Sequence, residues 1–580
     1  MGAKPVWYRS PVHTLSLTGK RWVLGADLRG ALPMAARDRD EALLNHLLDQ
    51  RGIDALPVGL IPEEFGPDAS LFPDLDRALT RIRAAVKTKE TIGVFGDYDC
   101  DGITGAALLM RMLRRRGIEP VVRLPHRLHD GYGLKSGAVH DFKKAGVTLL
   151  ITVDTGITAE REIAEAATLG IDVIVLDHHT VPAELPVAHA LLHPALAPGF
   201  PEPHPAAAGI AWSVVRALET LEHGDDWEDR ETDLALAAIG TIADLVPLQG
   251  PNRTLVHRGL ISLSRLDRGP LGFLRMQAEI PAGPVSSQDV AFRLAPRLNA
   301  AGRMAEPAIA LNALLGDQAA AAHLEQLNRE RQDTVAALMD EALARAAALP
   351  SAFVCLRDER YQPGICGLIA GKLCEKTGRP VLIAHERGGQ CTASLRGIPS
   401  YNVTTGLRRA ADLLTSFGGH AMAAGCTFPV AAFDALRDRL ATDVEASVDE
   451  DDLLPRLAID ACVDIAHLTL PLCERLLELE PVGQGNPAPR FLLRNTRLDE
   501  PRAVGRDASH LQARVGRSKA IGFRLGHLLT HLNALVDIAC HLGIDTWRDA
   551  RQVQIVIDDI RIAVPEKKPV GTASPEKASA

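Results

Sequence analysis

Short apolar runs that alternate with helix-like segments constrain the fold of this chain more than any other feature. Strand-like runs occur at TIGVF, VVRL, TLLITV, IDVIVL and HALLH, and helix-like segments lie between them. This alternation is typical of parallel βαβ units, in which each helix returns the chain to the same end of the sheet. The sequence therefore predicts an α/β fold with a doubly wound parallel sheet.

Acidic and histidine side chains stand directly after three of these runs, and a fourth acidic motif follows later. The motifs VFGDYDCDGITG, LLITVDTG, VLDHH and GTIADLVPL contain Asp97, Asp99, Asp101, Asp154, Asp177, His178, His179 and Asp244. The carboxyl ends of parallel strands share one edge of a sheet, where open α/β folds bind ligands. These side chains are therefore expected to converge, although they are far apart in the chain.

The spacing D-x-D-x-D-G from Asp97 also opens an EF-hand calcium loop. Such a loop needs a bidentate Glu at its twelfth position, and Leu108 stands there in this chain. The partners of the first three carboxylates must therefore come from elsewhere in the sequence.

Each motif has an ordinary structural interpretation when it is taken singly. An Asp after a strand is often a helix cap or a turn residue, and a His pair after an Asp is more often hydrogen-bonded than catalytic. Several carboxylates at one edge, however, raise one another's pKa values unless bound cations offset their charge. Carboxylates with one or two imidazoles and no thiolate favour Mn²⁺ or Mg²⁺, and two such ions can activate water against a phosphoryl centre. The pattern predicts metal-assisted phosphoester hydrolysis.

Length and composition exclude several other classes of protein. At 580 residues the chain exceeds one hydrophobic core, and its net charge of −9 argues against a wholly basic nucleic-acid coat protein. The nine cysteines include no C-x-x-C pair, which indicates neither a disulfide framework nor a zinc module and fits a reducing cytoplasm. The amino terminus lacks a signal-like apolar stretch, and no apolar run approaches the roughly 20 residues of a membrane span. We therefore expect a soluble, cytoplasmic protein of several domains.

Taken in order, the four motifs resemble those of the DHH phosphoesterase superfamily. Longer motifs resemble its RecJ family of single-strand-specific exonucleases; they are PHRLHDGYGL, APRLNAAGRM, SLRG, FGGHAMAAG and LEPVGQGNPAP, within a likeness from about Arg21 to Ala563. The resemblance implies a metal-dependent 5′-to-3′ exonuclease that hydrolyses single-stranded DNA to nucleoside 5′-monophosphates in DNA repair and recombination. It also implies a single-strand-binding protein and a RecQ-type helicase as partners.

The same resemblance implies roles for individual residues. Two Mn²⁺ or Mg²⁺ ions would be held by Asp97, Asp99, Asp101, Asp154, His178 and Asp244. Asp154 and His179 would be catalytic, with His179 beside the scissile phosphate. One departure from the family pattern is Gln362 before PGICGLIAGKL, where many relatives carry His or Trp. No metal position is lost.

Arginines in the longer motifs are suited to phosphate, because a planar guanidinium donates bidentate hydrogen bonds. Arg127, Arg303 and Arg396 stand in motifs rich in Gly and Asn, where a backbone can approach closely. Singly, each arginine is more readily a surface or ion-pair residue. The resemblance instead implies substrate binding by Arg127, Asn299, Arg303, Ser394, Arg396 and His420. FGGHAMAAG is equally compatible with a tight turn before a buried helix of small residues.

Further domains are predicted after an N-terminal segment and DHH domain at 1–318. Residues 319–350 are almost uninterruptedly helix-forming and predict a connecting helix, with an ordinary amphipathic helix of the first domain as the alternative. Residues 351–447 resemble a second α/β domain, DHHA1, which would close a groove suited to a chain-like substrate. Short strands over 454–564 resemble an OB-like β-barrel, and 565–580 are predicted to be a disordered tail.

The OB-like region is locally basic although the chain as a whole is acidic. Between Arg490 and Arg524, nine basic residues stand against three acidic ones. Such an excess favours a groove that follows a phosphate backbone, and a solvated face is the alternative. Aromatic residues are sparse there, namely Phe491, Phe523 and Trp547, so contact is expected to depend more on charge than on stacking.

Two other functions remain open. A DHH enzyme for smaller substrates, such as an oligoribonuclease or a cyclic-dinucleotide phosphodiesterase, would share the metal site but usually lacks an OB-like region. A catalytically silent RecJ-like scaffold that binds DNA would keep the fold. The intact acidic motifs and the DHH triplet argue against that scaffold.

Overall fold

The structure is a computed structural model that describes residues 15–33, 35–53, 65–127, 129–219, 227–545 and 551–563. Contacts between residues divide the chain into two units. The larger unit comprises Arg51–Leu453 and Glu478–Ala488, and the smaller unit comprises Met1–Gln50, Leu454–Leu477 and Pro489–Ala580. Trp547 and the predicted disordered tail at 565–580 lie outside the described residues.

The described β-strands fall into three sheets. They are β1 (Arg21–Asp27), β2 (Ile92–Gly96), β3 (Val121–Arg123), β4 (Leu149–Val153), β5 (Asp172–Leu176), β6 (Ala190–Leu192), β7 (Val354–Asp358), β8 (Val381–Arg387), β9 (Gln390–Arg396), β10 (Ser416–Gly419), β11 (Ala423–Pro429), β12 (Arg456–Cys462), β13 (Phe491–Thr496), β14 (Asp499–Val504), β15 (His510–Val515), β16 (Ser518–Gly522), β17 (Val536–Asp545) and β18 (Gln552–Ile562).

The α-helices of the described ranges cover the faces of these sheets or connect them. They are α1 (Ala36–Arg51), α2 (Leu75–Thr88), α3 (Cys100–Arg115), α4 (Ser136–Lys144), α5 (Glu160–Thr168), α6 (Ala207–Glu219), α7 (Trp227–Ala243), α8 (Gly250–Arg265), α9 (Gly269–Gln277), α10 (Ser287–Asp289), α11 (Ala295–Met304), α12 (Ala308–Leu314), α13 (Gln318–Ala348), α14 (Pro363–Thr377), α15 (Val403–Arg409), α16 (Phe433–Ser447) and α17 (Leu470–Leu476).

Five parallel strands form the first sheet of the larger unit, in the order β3-β2-β4-β5-β6. β2 and β4 are buried along their whole length because apolar cores cover both faces of the sheet. One core includes residues of α3, α6 and α7, and the other includes residues of α4 and α5. The predicted doubly wound parallel sheet is confirmed.

The long helix α13 contributes to two cores of the larger unit. Near its start, Ala321 and Leu324 pack in the core that contains α3, α6 and α7. Farther along, Val335 and Leu338 pack with residues of β7, β8 and α14. Those strands belong to a second, mixed sheet with the order β10-β11-β9-β8-β7.

The smaller unit is built around one mixed sheet of eight strands, in the order β1-β12-β13-β17-β18-β16-β15-β14. Five of its strands, β13, β15, β16, β17 and β18, coincide with short runs of strand-forming residues within the predicted OB-like region at 454–564. The strands β12 and β14 were not predicted from the sequence. β14 has no buried residue and so lacks the period-two signal of a half-buried strand. β12 does alternate over its first six residues, but an apolar alanine on its exposed face weakens that signal in the sequence.

The N-terminal segment requires a correction to the predicted domain plan. It was grouped with the DHH domain at 1–318, whereas β1 pairs in parallel with β12 in the smaller unit. Asp559, which is fully buried, accepts hydrogen bonds from Thr18 Oγ1 at 2.7 Å and from Trp22 Nε1 at 2.8 Å. More than 400 residues separate these strands in sequence, and local patterns do not report such pairing.

Across the described ranges, no helix combines the length and the apolar character that a membrane crossing requires.

Candidate active site

The acidic motifs meet at the carboxyl edge of the first sheet. Gly96, Val153 and Leu176 are neighbours in register at the ends of β2, β4 and β5. The next residue in each strand is therefore Asp97, Asp154 or Asp177, and the three stand side by side. Asp154 has a left-handed backbone with φ of 63°, a conformation that Asp tolerates better than most residues.

The turn after β2 holds its carboxylates through backbone hydrogen bonds. Asp99 caps α3 by accepting from the backbone N–H groups of Asp101, at 3.0 Å, and Gly102, at 3.2 Å. A Cβ at Gly102 would lie 2.5 Å from the backbone nitrogen of Asp97, so only glycine permits this close turn. The turn thereby presents three carboxylates within six residues without fraying the helix.

Asp101 is anchored from a second direction. Its carboxylate accepts from the backbone N–H groups of Ala207, at 2.7 Å, and Ala208, at 2.9 Å, at the start of α6. A Cβ at Gly240 would lie 2.8 Å from Asp101 Oδ1, so α7 also approaches this carboxylate closely. Asp101 is thus oriented by three helices.

His178 lies at the centre of the acidic group. Its Nε2 is 3.2 Å from Asp154 Oδ1, 3.6 Å from Asp244 Oδ2 and 3.9 Å from Asp101 Oδ2. Potential ligand atoms cluster within 4.8 Å of one another in three sets: Asp154 with His178 and His179, Asp101 with His178 and Asp244, and Asp97 with Asp99 and Asp154. The structure therefore brings together all six predicted metal ligands.

Burial and mutual repulsion make this group of carboxylates electrostatically costly. Burial, followed by the charge of Asp99, raises the pKa of Asp97 and Asp154 well above the usual range, and it raises the pKa of Asp101 to about 7. Burial and then Asp101 raise the pKa of Asp244. Burial lowers the pKa of His178 to about 4, with a contribution from His179. A metal site requires its imidazole ligand in the neutral form, and the lowered pKa of His178 favours that form.

His179 belongs to a separate hydrogen-bonded chain. Its Nδ1 lies 2.8 Å from Asp177 Oδ1, and its Nε2 lies 3.0 Å from the hydroxyl of Tyr132. Burial opposes protonation of this ring, but the hydrogen bond and charge of Asp177 outweigh it and raise the pKa of His179. Asp177 also accepts from the backbone N–H groups of Ile157, His178 and His179, which fix its orientation.

Sequence reasoning assigned no role to Asp177 or Tyr132. For Asp177 the signal was present in the DHH triplet itself, since a strand-end Asp can orient a ring two residues later. Tyr132 lies in the motif PHRLHDGYGL, of which only Arg127 was predicted to bind substrate. Only the folded geometry joins Tyr132 to His179.

A group of arginines lies beside the acidic turn. Tyr98 stands between Asp97 and Asp99 in the sequence. The Arg127 guanidinium lies 4.0 Å from the centre of the Tyr98 ring. Arg303 follows Gly302, whose Cβ would lie 2.4 Å from the carbonyl oxygen of Tyr98. Arg303 thus sits on a helix that touches the acidic turn directly.

Arg303 is affected both by burial and by the positive charges of neighbouring arginines. Burial lowers the pKa of Arg303 to about 9, and the charges of Arg127, Arg331 and Arg396 contribute to this shift. Burial also lowers the pKa of Arg396. Among the described residues, no carboxylate forms an ion pair with Arg127, Arg303, Arg331 or Arg396. Arg331 on α13 was missed from sequence because it stands in a run of charged residues typical of an exposed helix face.

Ser394, Arg396 and Asn299 were also predicted to bind substrate, and they lie in two different parts of the fold. Ser394 Oγ and the Arg396 guanidinium flank α14 near Gly367, at 3.7 Å and 3.1 Å from the position of a Cβ there. Asn299 Oδ1 accepts from the backbone N–H of Cys100 at 2.9 Å, so its side chain braces the acidic turn. Gln362 caps α14 without a side-chain hydrogen bond.

His420 lies on an exposed hairpin. The motif FGGHAMAAG forms β10, a tight turn and β11, rather than a turn before a buried helix. His420 and Ala423 exchange backbone hydrogen bonds across this turn, and within the described ranges no hydrogen bond joins the His420 imidazole to the acidic group. The glycines of the motif can form a strand because β11 pairs with β10 through backbone hydrogen bonds. A helix over the same residues would carry small side chains and would bury no apolar face.

Sequence models of three protein families match the chain. The DHH family N-terminal domain matches residues 91–239, the DHHA1 domain matches 350–446, and the RecJ OB domain matches 459–559. Together with the observed sheets, these matches confirm the predicted fold class of a DHH domain, a second α/β domain and an OB-like domain.

Curated relatives and a solved structure extend the comparison. "Single-stranded-DNA-specific exonuclease RecJ" of Bacillus subtilis is 32% identical over 506 residues, which are 84% of this chain but only 63% of that protein. The protein of the same name from Thermus thermophilus is 35% identical over 514 residues, 86% of this chain and 73% of that protein. The crystal structure of RecJ in complex with Mn²⁺ from Thermus thermophilus superposes with a TM-score of 0.79 at 30% identity, covering 96% of this chain and 81% of that chain.

Proposed function

This chain belongs to the RecJ family, and from that premise we propose that it is a metal-dependent exonuclease of single-stranded DNA. It degrades the strand from the 5′ end and releases nucleoside 5′-monophosphates. The observation that carries the proposal is a group of five carboxylates, three of them around His178 and two beside Asp154, next to four arginines that lack carboxylate partners among the described residues. The cation site and the anion site lie against the same turn.

The acidic group fits two hard divalent cations. Its donors are carboxylate oxygens and an imidazole, which suit Mn²⁺ or Mg²⁺. Asp97 Oδ1 is buried and has no hydrogen-bond partner among the described residues, which is costly unless a cation occupies that side of the carboxylate. Asp97, Asp99, Asp101, Asp154, His178 and Asp244 would hold the ions. When bound, such ions lower the pKa of water and stabilise charge on phosphoryl oxygens.

His179 acts on the substrate phosphate rather than on an ion. The Asp177 carboxylate lies against Nδ1 and raises the pKa of the ring, which favours the form that carries a proton on Nε2 as well. That proton orients a non-bridging oxygen or passes to the leaving 3′ oxygen. The Tyr132 hydroxyl, 3.0 Å from Nε2, orients the ring before substrate arrives.

Arg127, Arg303 and Arg396, with Ser394, hold the terminal and scissile phosphates. The guanidinium groups of Arg303 and Arg396 are largely desolvated, so an incoming phosphate gains charge-assisted hydrogen bonds and relieves repulsion among the arginines. A strand whose first phosphate is gripped there can advance no farther, which supports stepwise release from one end. His420 and Asn299 remain predicted substrate-side residues.

The wider assignments follow from family membership and composition. We assign the enzyme to DNA repair and recombination in the cytoplasm, with a single-strand-binding protein and a RecQ-type helicase as its partners. An oligoribonuclease or cyclic-dinucleotide phosphodiesterase is disfavoured because the chain carries a region that matches the RecJ OB domain.

Metal removal tests the proposed function. Chelated enzyme is expected to leave single-stranded DNA intact, and added Mn²⁺ or Mg²⁺ is expected to restore digestion, while blunt duplex DNA resists. Gel analysis of labelled strands measures both outcomes. Full digestion by the chelated enzyme would contradict the proposal.

Replacement of Asp177 by Asn is expected to lower kcat on single-stranded DNA by about ten- to a hundredfold, the usual effect of removing an orienting partner. Asn keeps an acceptor for the backbone N–H groups of His178 and His179 but loses the one for Ile157, and it loses the charge that favours protonated His179. In steady-state kinetics measured across pH, the part of the rate profile that depends on protonation of His179 should shift to lower pH. The exposed control Asp333→Asn should behave as wild type, and an unchanged profile for Asp177→Asn would remove His179 from the mechanism.

The smaller unit is expected to bind the phosphate backbone of longer strands. Phe523 is 60% exposed and stands edge-on to His510 at 5.5 Å, whereas Phe491 is buried. Because few aromatic rings are exposed, binding is expected to depend mainly on charge. Replacement of the exposed Arg524 by Gln should therefore weaken binding of a long single strand and reduce the slope of log affinity against log salt concentration by about 0.7. Fluorescence anisotropy at several salt concentrations measures both quantities. An unchanged slope would show that Arg524 contacts no phosphate.

A further inference from the structure

The motif LEPVGQGNPAP plays no part in the chemistry described above, yet its place in the fold is unusual. Residues Glu478–Ala488 group with the larger unit, although the chain on both sides of them belongs to the smaller unit. These eleven residues, here named the brace, lie against the segment that connects α7 to α8. That segment begins with the predicted metal ligand Asp244.

The segment after Asp244 adopts a conformation that its own sequence does not favour. Leu245 has φ of 62°, the left-handed region that a leucine avoids, and its side chain is 68% exposed. Packing of the leucine side chain therefore does not hold this backbone. Such strain persists only when surrounding contacts determine the conformation.

The brace supplies those contacts. The backbone N–H of Leu248 donates to the carbonyl of Gln484 at 2.7 Å, and Gln249 Nε2 donates to the carbonyl of Gly485 at 3.2 Å. Gly485 has φ of 75°, and a Cβ there would lie 3.1 Å from Cβ of Pro247. The brace therefore touches three consecutive residues that begin three positions after Asp244.

The brace is itself held rigidly within the larger unit. The buried Arg253 guanidinium donates to three successive carbonyls, those of Leu479, Glu480 and Pro481, at 3.0 to 3.2 Å. The buried Asn486 amide donates to the Leu479 and Pro481 carbonyls at 2.8 Å. Ser287 Oγ donates to Glu480 Oε2 at 2.7 Å. These buried donors fix the backbone of residues 479–481, although Arg253 Nε and Asn486 Oδ1 have no hydrogen-bond partner among the described residues.

We propose that the brace is a positioning element that holds the Asp244 carboxylate in place for its metal ion. This proposal rests on the proposed metal-dependent function. The brace contacts the main chain of Leu248 and the side chains of Pro247 and Gln249, and it contributes none of the predicted metal ligands. Disturbing the brace should weaken metal binding before it alters the chemistry of the loaded site.

The test compares two Gly→Ala substitutions with similar backbone strain. Gly485→Ala adds a methyl group against Pro247. Gly269→Ala, also in the larger unit and with φ of 67°, adds one where no atom lies within 4 Å. Mn²⁺ binding to the full chain is measured by isothermal titration calorimetry, with thermal unfolding in parallel. Gly485→Ala should raise the Mn²⁺ Kd about tenfold, and Gly269→Ala should leave it unchanged at a similar loss of thermal stability.

A second variant guards against failure to fold. Gln249→Ala removes the amide that donates to the carbonyls of Gly485 and Arg51 without adding volume, and it should raise the Mn²⁺ Kd by a few-fold. In both Gln249→Ala and Gly485→Ala, kcat should recover at saturating Mn²⁺. An unchanged Kd in both variants, or an equal increase in Gly269→Ala, would overturn the proposal. Failure of the wild-type chain to bind Mn²⁺ would instead contradict the proposed function.

Discussion

Asp154→Ala is expected to abolish hydrolysis of single-stranded DNA, with a loss of about a thousandfold or more, while the protein remains folded. Asp154 belongs to two of the three sets of ligand atoms and approaches His178 most closely. Metal-based charge stabilisation is worth several kcal/mol, and each 1.36 kcal/mol corresponds to tenfold in rate. Single-turnover digestion with Mn²⁺ measures the loss, and circular dichroism checks the fold.

The exposed carboxylate Asp333 on α13 offers a matched control. Asp333→Ala removes the same charge away from the site and should keep wild-type activity. Because buried like charges destabilise the metal-free site, Asp154→Asn should also raise the unfolding temperature of the chelated protein. Full activity in Asp154→Ala would refute the assignment of this edge as the metal site.

Arg396→Ala is expected to lower kcat/KM on 5′-phosphorylated single strands by about ten- to a hundredfold. A charge-assisted hydrogen bond to an arginine is worth about 1.5 to 3 kcal/mol, and its loss appears directly in kcat/KM. Strands with a 5′ hydroxyl should suffer less, because they lack the phosphate that the arginine holds. Steady-state kinetics on both substrates give the ratio.

Two further variants separate charge from geometry. Arg396→Lys keeps the positive charge but loses the planar fork, so it should recover only part of the activity. Arg387→Ala removes an exposed arginine at the end of β8 and should have no effect. An equal loss on 5′-phosphorylated and 5′-hydroxyl strands would remove Arg396 from the recognition of the terminal phosphate.

Local sequence patterns were sufficient for the first sheet and for its acidic edge. The strands β2, β4 and β5 are short apolar runs, and the residue after each is an aspartate that stays buried at the edge of the sheet. Parallel topology then brings those residues to one edge irrespective of their distance in sequence. Asp97, Asp154 and His178 could therefore be predicted together. Their roles as ligands came from the family resemblance and stay predictions.

Contacts between distant segments could not be read in the same way. The pairing of β1 with β12, the grip of Arg253 on the brace and the approach of Arg331 to Arg303 all depend on side chains or strands that local periodicity describes as ordinary. Tyr132 is a comparable case, since nothing in its motif indicates that its hydroxyl meets His179. Tertiary geometry, rather than propensity, decides such contacts.

Metal ions at the acidic edge are proposed to support hydrolysis from the 5′ end of a single strand. Product analysis of single-stranded DNA labelled at its 5′ phosphate, with added Mn²⁺, measures this polarity. Labelled mononucleotide should appear first, a bulky block at the 5′ end should prevent digestion, and a block at the 3′ end should not. Earlier release of a 3′ label, or efficient cleavage of circular single strands, would contradict it.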